Sequence, residues 1–470
     1  MPAVAQMQPV APQTQSLPAA NPLPVGQVVD AVPCASDSTE TYALYLPSAY
    51  TSAKSWPIIY TFDPFGNGKT SVNLYKDAAE RYGFILTASN NSRNYQSDVT
   101  RAARALWDDT HARLSLDPRR IYTMGLSGGA RVATVLAVDC GSCAVAGVIS
   151  HGAGYPVPPS DKEHFAYFAF VGDHDFNWPE IMELRRKKEE WSAPYRLRVF
   201  AGDHEWAPPS IFAEALEWLQ LKAMQMGIIS RNSSFIDEQL VRTQNDAEEF
   251  ARRKDTVAEF DAYRSLVFDF SGLTDTTHFQ TKLNALRNSP ELKEAARKEQ
   301  NAIDQQRALT QELSSDISRA ADATLDLQTS LRADIVDGMT RLKYKADHAK
   351  SEDERLILSR ACQALWVQGI EAGEGELEHA KRFDKAEFYF QLVSAVAPSE
   401  PWPHLLLAEA AASRGDKKRA KKDLRNAIKC GLKNPDTIDQ DANLQSLRND
   451  PEFQQIIAEL RAKRASQPAQ

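Results

Sequence analysis

Arg120-Ile-Tyr-Thr-Met-Gly-Leu-Ser-Gly-Gly129 is the stretch on which the reading of the first half of the chain turns. Ile121, Tyr122, Thr123 and Met124 are β-branched, aromatic or apolar, which suits a short buried strand. Gly125-Leu-Ser-Gly-Gly129 fits G-x-S-x-G, and the residues from Ala130 to Ala137 continue as a helix. Strand, sharp turn and helix together are the context of a nucleophile elbow. A serine on so tight a turn needs neighbours without side chains, which accounts for glycine two before and two after Ser127. The turn lifts Oγ out of the sheet and aims the next backbone N–H at the same space. Gly-rich strand–helix turns also serve nucleotide-binding folds. This sequence has no G-x-x-x-x-G-K-[ST], and no G-x-G-x-x-G after a strand.

Outward from the elbow, short apolar runs predict strands at 42–46, 57–62, 84–88, 145–149, 165–171 and 195–200. Helical spacing fills 70–82, 97–115, 179–191 and 208–226. Strands alternating with helices predict an α/β fold, a mostly parallel sheet with helices on both faces. In such sheets the ligand sits at the carboxyl ends of the strands, and every candidate polar residue falls there.

A serine alkoxide at neutral pH needs a base within hydrogen-bond reach, and the base needs an orienting carboxylate. Downstream of Ser127, Gly172-Asp-His-Asp175 and Gly202-Asp-His204-Glu-Trp206 both end strands. His204 ends the last strand and is the expected base; His151 and His174 are the alternatives. Asp175 is favoured as the acid over Asp173, while Asp203 and Glu205 are expected to stay solvated. An oxyanion site needs two donors. Gly128 N–H supplies one, and Phe65 N–H is the choice for the second, with Asp63 or Gly66 open, because Pro64 has no N–H.

With these residues in view, residues 38–225 resemble the α/β-hydrolase superfamily. Leu116-Asp-Pro-Arg-Arg-Ile-Tyr-Thr-Met-Gly-Leu-Ser-Gly-Gly129 is similar to the elbow of the feruloyl/acetylxylan-esterase and polyhydroxybutyrate-depolymerase-like group. The resemblance implies a serine carboxylic-ester hydrolase with an acyl-enzyme intermediate, no metal and no organic cofactor. It carries the nucleophile to Ser127, the acid to Asp175 and the base to His204. Many relatives have His-Gly ahead of the oxyanion residue, where this chain has Asp63-Pro64. A catalytically inactive scaffold on this fold and a serine peptidase are the competing readings.

From about residue 231 strand signals vanish, and charged, Ala/Leu-rich sequence runs to about 462. Ser289-Pro290-Glu291 is a helix start, and the polar stretch to about 349 reads as a helix hairpin or short coiled coil. Ala386 and Ala420 sit in similar segments 34 residues apart, and 356–432 resembles the tetratricopeptide helical repeat, implying a protein partner. The expected organisation is a disordered leader (1–30), a hydrolase unit (31–228), a helical linker (229–349), a repeat region (350–462) and a disordered tail (463–470). The first two units are expected to fold and act without the rest.

A chain of 470 residues exceeds one ordinary core. Its net charge of −8 gives no electrostatic case for nucleic acid or an anionic membrane. No run of 18 apolar residues predicts a membrane span. Five cysteines show no zinc spacing; Cys34 with Cys140 is a disulfide pairing open to an exported protein. Ala3-Val-Ala5 resembles the end of a signal peptide that begins upstream, which would place the protein outside the cytoplasm; otherwise it is cytoplasmic.

Overall fold

A computed structural model describes residues 23–94, 98–139, 144–156, 163, 165–190 and 194–465. Eight strands form one sheet: β1 (Val28–Pro33), β2 (Thr41–Tyr45), β3 (Trp56–Phe62), β4 (Ile85–Ser89), β5 (Leu116–Leu126), β6 (Val145–His151), β7 (Ala166–Gly172) and β8 (Tyr195–Phe200). Their order is β1-β2-β4-β3-β5-β6-β7-β8. β2 runs antiparallel to β1 and β4, and the strands from β4 and β3 through β8 are parallel. All seven residues of β3 are buried, as a strand covered on both faces requires.

Successive strand residues feed opposite faces. Ile58, Val148 and Tyr167 join one core with Leu106 of α2 (Val99–Arg113), Ala133 of α3 (Gly128–Asp139) and Ile181 of α4 (Trp178–Glu190). Their neighbours Ile59, Ile149 and Phe168 join the other, with Tyr75 of α1 (Gly68–Tyr82) and Phe212 of α5 (Pro209–Gln225). The fold is α/β, a mostly parallel eight-stranded sheet with helices on both faces, followed by a large all-helical part.

Three local expectations need correction. Val28–Asp30, assigned to the leader, belong to β1, which pairs with the core strand β2; residues 1–22 lie outside the described ones. The helix expected to reach 115 stops at Arg113, where Leu114 is already extended at φ −116° and ψ 149°, and β5 begins at Leu116. Cys34 is a free, buried thiol with no disulfide partner among the described residues, and burial pushes it up to about 12. Cys140 and Cys143 lie outside the described residues.

The all-α part comprises α6 (Ser233–Arg253), α7 (Thr256–Phe268), α8 (Thr277–Asn288), α9 (Pro290–Ala321), α10 (Leu325–Asp347), α11 (Glu352–Glu374), α12 (Phe383–Val396), α13 (Pro401–Ser413), α14 (Lys417–Lys429), α15 (Pro435–Asp439) and α16 (Pro451–Ala465). Ser289 caps α9 by accepting from Leu292 N–H at 3.1 Å, with Pro290 in the first turn, as its sequence predicts. The helices are not hung on a linker. Ile303 of α9 is buried in the same core as Ile181 and Leu184 of α4. Asp269, after α7, binds Lys222 of α5 and Arg196 of β8, each at 2.7 Å. Burial raises the Asp269 carboxyl, but these two cations overcome it and hold it at about 2. Arg185 of α4 binds Glu299 at 2.6 Å and Asp261 at 3.4 Å. Breaking one partner of such a buried pair strands the other charge, at a cost of about 3–5 kcal/mol.

Candidate active site

Ser127 follows β5 with φ 54°, the left-handed region that a residue with a side chain rarely occupies. Such strain costs on the order of 1–3 kcal/mol and persists only where the surroundings hold it. Here Ser127 N–H donates to His151 O at 2.9 Å, and Ser127 O accepts from Arg131 N–H at 3.1 Å. The flanking glycines answer to space. A Cβ on Gly125 would stand 2.2 Å from the Gly129 carbonyl carbon, and one on Gly129 only 2.0 Å from Phe62 O. Strand β3 therefore presses directly against the elbow.

His204 lies four residues past the end of β8, and Asp175 three past β7. Although 29 residues apart in sequence, His204 Nδ1 is 2.9 Å from Asp175 Oδ1. Asp175 is buried; Oδ1 also accepts from Asn177 N–H at 2.8 Å, while Oδ2 has no hydrogen-bond partner among the described residues. The His204 ring packs against Phe176, with centroids 4.4 Å apart, and its Nε2 is buried without a hydrogen-bond partner among the described residues. Gly152 joins the two halves of the site. It follows His151, whose carbonyl receives Ser127 N–H, and a Cβ on it would stand 2.5 Å from Asp175 Oδ2 and 2.9 Å from His204 Nδ1. Serine, imidazole and carboxylate thus surround one short segment at the carboxyl edge of the sheet.

The alternatives fall elsewhere. His151 is buried among Tyr75, Phe170, Trp206 and Phe212. It accepts Ala207 N–H at 3.2 Å, and burial lowers it to about 3, so it is a neutral core histidine. His174 is held between Asp173 Oδ1 at 2.7 Å and Arg355 Nη1 at 2.9 Å. Asp173 also accepts Gly202 N–H at 3.1 Å, so it braces two loops and does not meet His204. Asp203 and Glu205 are exposed.

The oxyanion donors divide. Gly128 opens α3, where a backbone N–H has no partner within the helix. Phe65 N–H, the expected second donor, is consumed by Asp63 Oδ1 at 2.8 Å, and its ring is 75% exposed. Gly66 N–H is likewise consumed, by Asp63 O at 3.1 Å, and Asp63 N–H goes to Ser92 Oγ at 3.2 Å. Asn94 lies beside this loop. Its backbone N–H donates to Pro64 O at 2.9 Å, and its carboxamide lies over Gly128, where an added Cβ would be 2.0 Å from Oδ1 and 2.9 Å from Nδ2. That carboxamide makes no hydrogen bond among the described residues. The signal in the sequence was its position past β4, at the carboxyl edge where a ligand sits.

The all-helical part grips the loop that carries Asp175. Arg360 of α11 donates from Nε to Asp173 O at 2.7 Å and lies over the Trp178 ring at 3.9 Å. Gln363 Oε1 accepts Phe176 N–H at 3.1 Å, and Gln306 Nε2 donates to Phe176 O at 2.9 Å. Arg360 is 3% exposed. Burial lowers its guanidinium to about 10, with Asp173 and Asp175 acting in the opposite sense.

No family model and no curated protein matches this sequence. Among solved structures it is similar to FphF, a fluorophosphonate-binding serine hydrolase of Staphylococcus aureus, at 13% identity and TM-score 0.34, over 42% of this chain and 99% of that one. It is similar to the feruloyl esterase module of Clostridium thermocellum at 17% identity and TM-score 0.33, over 42% of this chain and 89% of that one. It is also similar to Thermogutta terrifontis esterase 2 at 15% identity and TM-score 0.33, over 41% of this chain and 91% of that one.

Proposed function

We propose that this chain is a serine hydrolase that cleaves carboxylic esters through an acyl-enzyme. The observation that carries the reading is the His204–Asp175 pair at 2.9 Å, set around the same Gly152 segment that anchors the strained Ser127. Ser127 Oγ attacks the acyl carbon while His204 Nε2 takes its proton. Asp175 holds the imidazole by Nδ1 and stabilises the imidazolium that forms. Gly128 N–H and the Asn94 carboxamide donate to the developing oxyanion. His204 then returns the proton to the leaving alcohol oxygen as the carbon–oxygen bond breaks. Water attacks the acyl-enzyme with His204 as base, releasing the acid and restoring Ser127 Oγ–H. An unpaired Nε2 is consistent with this, because catalytic hydrogen bonds often close only with substrate bound.

The test is labelling by a fluorophosphonate probe. Wild type should label and Ser127→Ala should not, with release of p-nitrophenol from short p-nitrophenyl esters following the same pattern. Folded wild-type protein that does not label would sink the reading and leave the scaffold alternative. For the helical tail, the protein-interaction reading rests on Ala386 and Ala420, both buried at the 34-residue offset. Its test is whether α12–α16 as part of the full chain retain a partner that surface substitution at Trp402 releases.

A further inference from the structure

His174 stands between the two aspartates of the acid loop and ties that loop to the helical part. Its Nδ1 lies 2.7 Å from Asp173 Oδ1, and its Nε2 lies 2.9 Å from Arg355 Nη1 of α11. These two partners fix the ring's proton. A carboxylate only accepts and a guanidinium only donates, so the ring carries its hydrogen on Nδ1 and offers a lone pair at Nε2. The neutral imidazole fits this place and the protonated one does not. A charged ring would aim a second N–H at Arg355, donor against donor and cation against cation.

The contact reaches both catalytic loops. Asp173 Oδ1, which accepts from His174, also accepts Gly202 N–H at 3.1 Å, and Gly202 stands two residues before His204. The His174 backbone N–H donates to Gly202 O at 3.0 Å. A Cβ on Gly172 would lie 2.3 Å from Gly202 O, so the loops after β7 and β8 are pressed together. On the other side, Glu352 holds the Arg355 guanidinium by Nε, at 3.0 Å, and by Nη2. Arg355, His174, Asp173 and Gly202 form one hydrogen-bonded line from α11 to the loop of the base.

Charges face His174 from each element around it. Asp173 on its own loop and Glu352 on α11 attract a cation there, while Arg355 and Arg360 of α11 repel one. Asp175 is turned to His204, and Asp203 and Glu205 on the loop after β8 are exposed. The His174 side chain is 24% exposed, so solvent protons reach it.

We propose that His174 is a positioning residue of the reaction. As the neutral imidazole it latches α11 to the loops that carry Asp175 and His204, and protonation releases the latch. Its effect on turnover rests on the serine-hydrolase reading; the latch itself does not. Arg360, Gln363 and Gln306 keep their own bonds to the acid loop, so release loosens the loop without freeing it.

The test compares wild type with Arg355→Met, which cannot donate to His174, using phenyl acetate and the ultraviolet absorbance of released phenol. At about pH 8 the variant should lose about fivefold in kcat/KM, a fraction of the penalty for a full ångström of displacement. On acidification to about pH 5.5 wild type releases the latch as well, and the ratio should close to under about twofold. Titration of the His204 base is common to both proteins and cancels in the ratio. In a His174→Gln background the carboxamide oxygen accepts from Arg355 without titrating, so adding Arg355→Met should cost the same at both pH values. A ratio that does not move with pH in wild type, or that moves equally in the His174→Gln background, overturns the proposal. Failure of the hydrolase reading looks different: Ser127 does not label and no phenol is released. Hydrogen exchange at the amides of 173–178 in Ser127→Ala protein, corrected for the intrinsic rate, reads the latch without turnover. Protection should fall on the same acidification, and should hold in Ser127→Ala/His174→Gln; equal changes in the two proteins overturn the latch.

Discussion

Arg360 Nε donates to the backbone carbonyl of Asp173 at 2.7 Å across 187 residues of sequence. The bond ties α11 to the loop that carries Asp175 two residues later. Gln363 and Gln306 hold the next residue, Phe176, by both its N–H and its carbonyl. A triad acid must be placed to within a fraction of an ångström, and misplacement by about 1 Å costs about a hundredfold. Arg360→Met should therefore lower kcat by about ten- to a hundredfold. Fluorophosphonate labelling of Ser127 should slow in parallel. Hydrogen exchange at the amides of 173–178 should rise in the same variant; unchanged exchange and turnover would show that the helices do not steady the loop.

A catalytic unit cut after residue 228 should be inactive. It loses Arg360, Gln306 and Gln363, and it strands Arg185, Arg196 and Lys222 without Asp261, Glu299 and Asp269. This reverses the expectation that the first two units act alone. Expression of 1–228 with a soluble-fraction assay and p-nitrophenyl acetate turnover decides it, and a soluble fragment with full activity would refute it.

The two aspartates separate by geometry. Asp175→Asn keeps the shape but favours the wrong imidazole tautomer, and should lower kcat by about 10⁴-fold. Asp173→Asn removes a brace shared by His174 and Gly202 N–H, at a cost of about tenfold or less. Steady-state kinetics of both variants with one ester give the comparison; the opposite ranking would move the acid to Asp173.

Asn94→Ala should reduce kcat by about 10²–10³-fold with a smaller change in KM, as expected for a donor that acts on the oxyanion. Phe65→Pro removes the N–H that Asp63 already occupies, and should cost far less. Equal kcat losses in the two variants would restore the Phe65 backbone as the donor.

Acid stability follows from His151. Its folded pKa lies near 3 because burial disfavours the charged ring, whereas an unfolded histidine titrates near 6.5. Between those values the unfolded chain binds a proton that the folded one refuses. Stability from this group is complete above about 6.5 and falls by about 1.4 kcal/mol per pH unit as pH drops toward 3. His151→Phe loses the Ala207 N–H acceptor, so it starts less stable. Its drop in unfolding free energy from pH 7 to pH 5 should nevertheless be smaller than that of wild type by about 2 kcal/mol, measured by urea melts.

The elbow, the six inner strands and the Ser289 cap were legible in the sequence because each depends on neighbours a few residues away. Residues 121–126 carry β-strand side chains, Ser127 sits between glycines that two close backbones demand, and Ser289-Pro290 makes a helix start by itself. The pair Ser127 and His204 was also reachable, since both end strands of one parallel sheet. The tertiary structure decided the rest. It paired His204 with Asp175 and Gly202 N–H with Asp173, two aspartates of one loop that differ in which way that loop turns. It gave the Phe65 N–H to Asp63, and brought the Asn94 carboxamide close to Gly128. It also seated α9 and α11 on the acid loop, more than a hundred residues away in sequence. Periodicity and turn chemistry are local, whereas these choices depend on loop paths and on packing between distant segments, which no local pattern encodes.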